Sequence, residues 1–171
     1  MKNTTTEPRI YVGTYAKYNS GSIAGAWISL DDHDRESFQD ACAELHKDEA
    51  DPEIMFQAFE GFPSEFYSES SLSAALWDWL ELDDRNRELL ARYIDAIGGD
   101  RTIEDAREAF CGTAESVADF AEDYSEEIGS VPKNIPSWIV IDWQATWDCN
   151  LRHDYSTSEG DDGTVFFFLR S

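Results

Sequence analysis

The chain has 171 residues, 42% of them hydrophobic, with six Trp, seven Tyr and ten Phe, and it carries thirty-six Asp and Glu against thirteen Lys and Arg, a formal net charge of −23. That aromatic content can fill cores and excludes a disordered acidic tail, which would be poor in aromatics. The charge, with a pI near 4.1, makes nucleic acid, anionic lipid and acidic substrates poor partners and points to a positively charged protein instead.

Residues 1–61 read as an N-terminal α/β domain. Ile10–Tyr15, Ala26–Leu30 and Ile54–Phe59 are strand-like, with Asn19-Ser20-Gly21 as a turn between the first two. Before the third strand lies a helix capped by Asp34, with Phe38, Ala41, Cys42 and Leu45 at i, i+3, i+4 and i+7 on its core face. Met1–Pro8 is polar without an apolar signal core, and the longest apolar run, Val165–Leu169, is five residues. A soluble chain without signal peptide or membrane span is the expectation. Three widely spaced cysteines, Cys42, Cys111 and Cys149, lack any CxxC pairing. They read as reduced thiols in a cytoplasmic protein.

Residues 62–110 read as a helical middle domain opened by the breaker Gly61-Phe62-Pro63-Ser64. One helix is predicted over Ser71–Leu80, with Leu72, Leu76, Trp77 and Leu80 inward. A second is capped by Asp83 or Asp84 and ended by Gly98-Gly99, with Leu89, Leu90, Tyr93, Ile94 and Ile97 on its core face. A third, capped by Thr102, carries Ile103, Ala106 and Phe110. Residues 111–171 return to α+β character. A helix is expected from about Thr113 to Ile128 with Val117, Phe120, Ala121 and Tyr124 inward, then helical spacing over Trp138–Trp147, although Trp138–Ile141 alone could be a strand, then a hairpin from Arg152–Ser156 to Thr164–Arg170 closed by Gly160–Gly163. The fold class is therefore α+β, as a chain of three small domains.

Much of the acid excess lies in two ladders at i+4 spacing, Glu36/Asp40/Glu44/Asp48 and Glu115/Asp119/Asp123/Glu127. On helices their six like-charge pairs would cost together roughly 1–3 kcal/mol, so stability does not explain them. A ladder climbs ~6 Å per rung, and a DNA duplex carries one phosphate per ~3.4 Å along each strand. Two such rows approach duplex charge density, which suggests imitation of DNA. The competing reading is a salt-adapted acidic surface, which fits the scarcity of lysine (Lys2, Lys17, Lys47, Lys133). Against it, residues 1–30 hold a single acid, Glu7, while residues 31–60 hold eleven.

Catalytic and metal patterns are thin. His33, His46 and His153 give no four-ligand zinc spacing, with Cys149-x3-His153 unaccompanied. The acidic runs 31–34 and 159–163 do not match a calcium loop. No phosphate-binding Gly loop or GxSxG occurs, and a pair of acids acting as in glycosidases has no specific signature among thirty-six candidates. No cofactor, metal or catalytic residue is assigned. Trp77, Trp79, Trp138, Trp143 and Trp147 fit core or interface packing better than a ligand groove.

The run Tyr11-Val12-Gly13-Thr14-Tyr15-Ala16-Lys17-Tyr18-Asn19-Ser20-Gly21, followed by Gly25-Ala26-Trp27, resembles the opening of the ArdA antirestriction proteins. A second similar block runs from Val117-Ala118 through Glu126-Glu127-Ile128-Gly129 and Val131-Pro132 to Ile141-Asp142-Trp143-Gln144-Ala145 and Leu151, with Trp143 where Tyr is more usual. The resemblance implies an elongated three-domain protein of mobile elements such as plasmids, transposons or phages. It also implies a homodimer joined through the C-terminal domain. Its acidic surface would occupy the DNA groove of type I restriction-modification enzymes, at the methyltransferase core and specificity subunit, and block cleavage and often methylation. The carboxylates standing in for phosphates would be Asp31, Asp32, Glu36, Asp40, Glu44 and Asp48 on the outer arm, Asp83, Asp84, Glu88, Glu104 and Glu108 in the middle, and Glu115, Asp119, Glu122, Asp123, Glu126 and Glu127 near the dimer centre. Trp138, Trp143 and Trp147 are the interface candidates, although a monomer core explains them equally well. Another basic DNA-binding protein is the alternative partner; nucleic acid and membrane are not expected to bind.

Overall fold

The computed structural model describes residues 6–170, so Met1–Thr5 of the polar N-terminal stretch lie outside the described residues. Among the described residues the fold is α+β, with seven α-helices and two three-stranded antiparallel sheets. The chain divides into two compact units, Met1–Arg87 and Glu88–Ser171.

The first unit is built on β1 (Arg9–Thr14), flanked by β2 (Ala26–Ser29) and β3 (Ile54–Glu60) in the order β2-β1-β3. Alternation puts Ile10 and Val12 in the core, while Tyr11 stands opposite Trp27 on the other face with the rings edge-on at 5.6 Å. A Cβ on Gly25 would stand 2.3 Å from the Val12 carbonyl oxygen. Only glycine lets the backbone approach β1 so closely before β2, which gives Gly25-Ala26-Trp27 a physical reason. The strand ends one residue earlier than the sequence suggests. Thr14 caps a short helix, α1 (Tyr15–Asn19), by accepting the Lys17 N–H at 3.2 Å.

Helix α2 (Arg35–Leu45) begins as expected at Asp34, whose carboxylate accepts the Ser37 N–H at 2.8 Å while Ser37 Oγ accepts the Asp34 N–H. Phe38 and Cys42 face inward, Phe38 lying 5.5 Å from Trp77 and 6.0 Å from Phe56. Helix α3 (Ala74–Leu80) starts later than predicted because Ser73 caps it, and Leu72 instead bridges to Tyr67. Its buried residues are Leu76 and Trp79, not Trp77, since the Trp79 indole N–H donates to the Arg87 carbonyl at 3.1 Å under the Arg87 guanidinium.

The division between the units falls within α4 (Asp84–Ile97), which Asp83 caps through the Asn86 N–H at 2.9 Å. The second unit continues with α5 (Ile103–Ala109), capped by Thr102 as expected, then β4 (Phe110–Ala114), α6 (Val117–Glu127), α7 (Trp143–Cys149), β5 (Tyr155–Glu159) and β6 (Val165–Leu169), with sheet order β4-β6-β5. The apolar run of β6 is continuous because both faces are covered. Phe167 stacks on Phe120 of α6 at 3.9 Å, whereas Phe168 meets Tyr93 of α4 at 5.1 Å. The hairpin of β5 and β6 turns where predicted, with Gly163 at φ +83°, but its first strand starts at Tyr155 rather than Arg152, because Leu151–His153 form a 3-10 turn.

Two expectations in this unit are corrected. Phe110–Ala114 is a strand paired with β6, so α6 cannot start near Thr113 and begins instead after its cap, Ser116. Helical spacing over Trp138–Trp147 is realised only from Trp143, after the cap Asp142, and Trp138–Ile141 is irregular. Gly129, at φ +70°, lets the chain leave α6, with the Ser130 N–H bonding back to the Ser125 carbonyl at 3.0 Å.

Candidate functional site

The acid ladders become shorter rows once the helices are placed. Since α2 ends at Leu45 and α6 begins at Val117, Asp48 and Glu115 fall outside them. The rows on helices are Glu36/Asp40/Glu44 and Asp119/Asp123/Glu127, and α6 adds a second column, Glu122/Glu126. All of these side chains are exposed except Glu122, which is half-buried. Five carboxylates within Asp119–Glu127 occupy nine residues, about 14 Å of axis, or one per roughly 2.7 Å. That density lies between one duplex strand and the whole duplex. No basic residue sits in the last turn of either helix, so Glu44, Glu126 and Glu127 lie at the ends where the helix dipole opposes them.

Cations edit the row of the first unit. Asp31 is held by Arg87 at 2.7 Å, Asp48 by Lys17 at 2.9 Å, and Glu44 by Lys47. Hydrogen bonding to Lys17 lowers the Asp48 carboxyl below its ordinary value, and the same bond raises Lys17. Asp32, Glu36 and Asp40 are left exposed without an ion-pair partner among the described residues. Tyr15, half-buried at the start of α1, lies near enough to Glu69 and Glu53 for their charges to act on it. Its phenol is raised by burial and then by Glu69 and Glu53.

Of the middle set, Asp83 is occupied as a cap and Asp84 opens α4, while Glu88 is half-buried and Glu104 and Glu108 are exposed on α5. Asp105, between them, is spent in the cap of Thr102, whose backbone N–H holds its carboxyl below the usual range. In the second unit no carboxylate forms an ion pair among the described residues. Asp119 alone in the α6 row has a local partner, accepting the Ser116 hydroxyl at 2.5 Å.

The three tryptophans separate. Trp147 is 7% exposed and packs edge-on to Phe120 and Phe167, so the core of the second unit uses it. Trp143 is half-buried against the same cluster. Trp138 is 81% exposed, beside Ile139 and the 88% exposed Val140. Beneath α6, burial and then the hydrogen bond with Tyr124 push the Tyr155 phenol up to about 12.

Among the described residues no group of three or more His, Cys, Asp or Glu is placed to hold a metal, and no helix is long and apolar enough to cross a membrane. A comparison with curated proteins gives no match. A family model described as antirestriction protein (ArdA) matches residues 10–164, which takes in all of β1 but Arg9, both acidic helices and the loop bearing Trp138. The chain belongs to the ArdA family of antirestriction proteins.

Proposed function

We propose that the protein inhibits type I restriction-modification enzymes by imitating the phosphate rows of duplex DNA and occupying the DNA groove of the methyltransferase core and specificity subunit. The observation that carries the reading is α6, whose five carboxylates, four of them exposed, reach strand-like charge density with no ion pair among the described residues. Glu36 and Asp40 on α2 with Asp32 beside it, Asp84, Glu88, Glu104 and Glu108, and Glu115 before α6 extend the same role. Contacts of phosphate type position a partner without reading sequence, so such a surface competes with many recognition sites. Both cleavage and modification would be blocked, protecting incoming mobile DNA in the cytoplasm, and no turnover is needed. A salt-adapted coat gives no reason for leaving α6 unpaired while α2 is trimmed by cations.

Homodimerisation belongs to the same proposal. The exposed Trp138, Ile139 and Val140 are the surface in the second unit that a second copy would cover, doubling the charge to −46, twice the −23 of one chain. The same proposal divides the chain into an α/β part at 1–61, a helical part at 62–110 and a dimerising part at 111–171. The test is charge reversal with a stability control. Glu36→Lys with Asp40→Lys should weaken displacement of DNA from the methyltransferase several-fold while thermal stability holds or rises; loss of stability instead would make the row structural and contradict the assignment.

A further inference from the structure

Lys17 lies on α1 with its ammonium 2.9 Å from His46 Nδ1, 2.9 Å from Asp48 Oδ1 and 3.5 Å from Glu49 Oε1. An ammonium has three donors and no lone pair, so Nδ1 of His46 must be the bare ring nitrogen. Its proton is then on Nε2, which donates to the Val12 carbonyl at 3.2 Å. His46 is 1% exposed and is the residue on which α2 ends, and its carbonyl accepts the Glu49 N–H at 3.0 Å. Thr14, fully buried, donates its hydroxyl to Glu49 Oε1 at 2.6 Å while capping α1. One cation thus ties together the end of β1, the start of α1, the end of α2 and the turn 46–49.

We propose that Lys17 is a positioning residue for the acidic row of α2, acting through His46 and the turn 46–49 rather than by touching the partner. This rests on the reading that the row engages a basic protein groove. Without Lys17, His46 Nδ1 loses its donor in the interior and the half-buried Glu49 loses its counter-charge, so the last turn of α2 opens. The helix then loses its tie to β1 through His46 and Val12, and the whole row with it loses its fixed place. The sign of the effect separates this from simple electrostatics. Removing a cation makes the protein more acidic and, by charge alone, should tighten binding to a basic groove; loss of positioning should weaken it.

The experiment compares Lys17→Met, Lys17→Arg and the double variant Glu36→Gln with Asp40→Gln. Each is read by amide exchange over residues 42–49 and by displacement of a labelled duplex from a type I methyltransferase core. Lys17→Met should raise exchange about tenfold and weaken displacement about fivefold, as opening of a locally buried polar site predicts. Lys17→Arg, keeping charge and donors, should recover much of both, and the double variant should weaken displacement with exchange unchanged. Unchanged or tighter displacement by Lys17→Met would overturn the positioning role while leaving mimicry intact. Weak displacement by Lys17→Arg with exchange protected would mean direct contact and also overturn it. An indifferent double variant would remove the underlying reading, and this inference with it. If Lys17→Met does not fold, the wild-type protein still decides: imidazole nitrogen NMR at neutral pH should give the Nε2–H tautomer of His46, and the Nδ1–H tautomer would refute the arrangement.

Discussion

The two acidic helices carry similar rows by different means. Around α2, cations cancel selected acids, with Lys47 on Glu44, Lys17 on Asp48 and Arg87 on Asp31, and a reciprocal cap at Asp34 fixes its start. On α6 no acid is ion-paired among the described residues, and support comes from below, where Phe120 and Tyr124 rest on Phe167, Trp147 and Tyr155. Length of ladder in the sequence is thus a poor guide to exposed charge. The α2 row is trimmed to a few free carboxylates, whereas α6 keeps all of its own and relies on an aromatic core to tolerate them.

The largest expected effect breaks that support. Phe120→Ala should cost about 3–5 kcal/mol, measured by chemical denaturation, because it removes the ring stacked on Phe167. Duplex displacement should fall with stability in this variant. Neutralising charge should instead separate the two properties. Asp123→Asn with Glu127→Gln is expected to weaken displacement about tenfold, against about twofold for Glu44→Gln with Asp48→Asn, whose charges are already cancelled. The α6 variant should also be more stable by about 0.4–1 kcal/mol, since it relieves two like-charge pairs at i+4. Equal losses of affinity from the two double variants would abolish the distinction drawn between the helices.

Smaller changes sharpen it. Lys47→Ala frees Glu44 and should tighten displacement about twofold with stability within about 0.5 kcal/mol, as for an exposed ion pair. A separate effect is alkaline. Burial pushes the Cys42 thiol from its ordinary 9.0 up to about 11. A group raised on folding contributes stability that is fully present below its unfolded value and is lost as pH rises through the folded one. Denaturation midpoints should therefore fall from about pH 9 upward, and Cys42→Ala should remove the part of that slope below about pH 10, above which the raised Tyr155 phenol contributes as well.

Most of the fold was legible where local chemistry is strong. Asp34, the pair Asp83-Asp84 and Thr102 announced their helices because short polar side chains satisfy free N–H groups at a fixed offset, although only the structure picks Asp83 from its pair, and the inward faces of α2 and α4 followed from apolar period. The strand β4 was not legible. Phe110 fits the last turn of α5 as well as it fits a sheet, and Gly112 weakens the strand pattern until β6 pairs with it. Helical spacing from Trp138 misled because Asp142 caps a later start. At the site, the acids were legible and their partners were not. Lys17 and Asp48 are thirty-one residues apart, and Arg87 and Asp31 fifty-six, so only the fold reveals which charges cancel.

The central claim, that these carboxylates take the place of DNA phosphates, is tested most directly by competition. The purified protein would be titrated into a type I methyltransferase core already bound to a labelled duplex carrying its recognition site, at two salt concentrations. Stoichiometric displacement that weakens as salt rises is the predicted result, because charged surfaces meeting in a basic groove are screened. A duplex that stays bound at large excess of the protein, at both salt concentrations, would contradict the account.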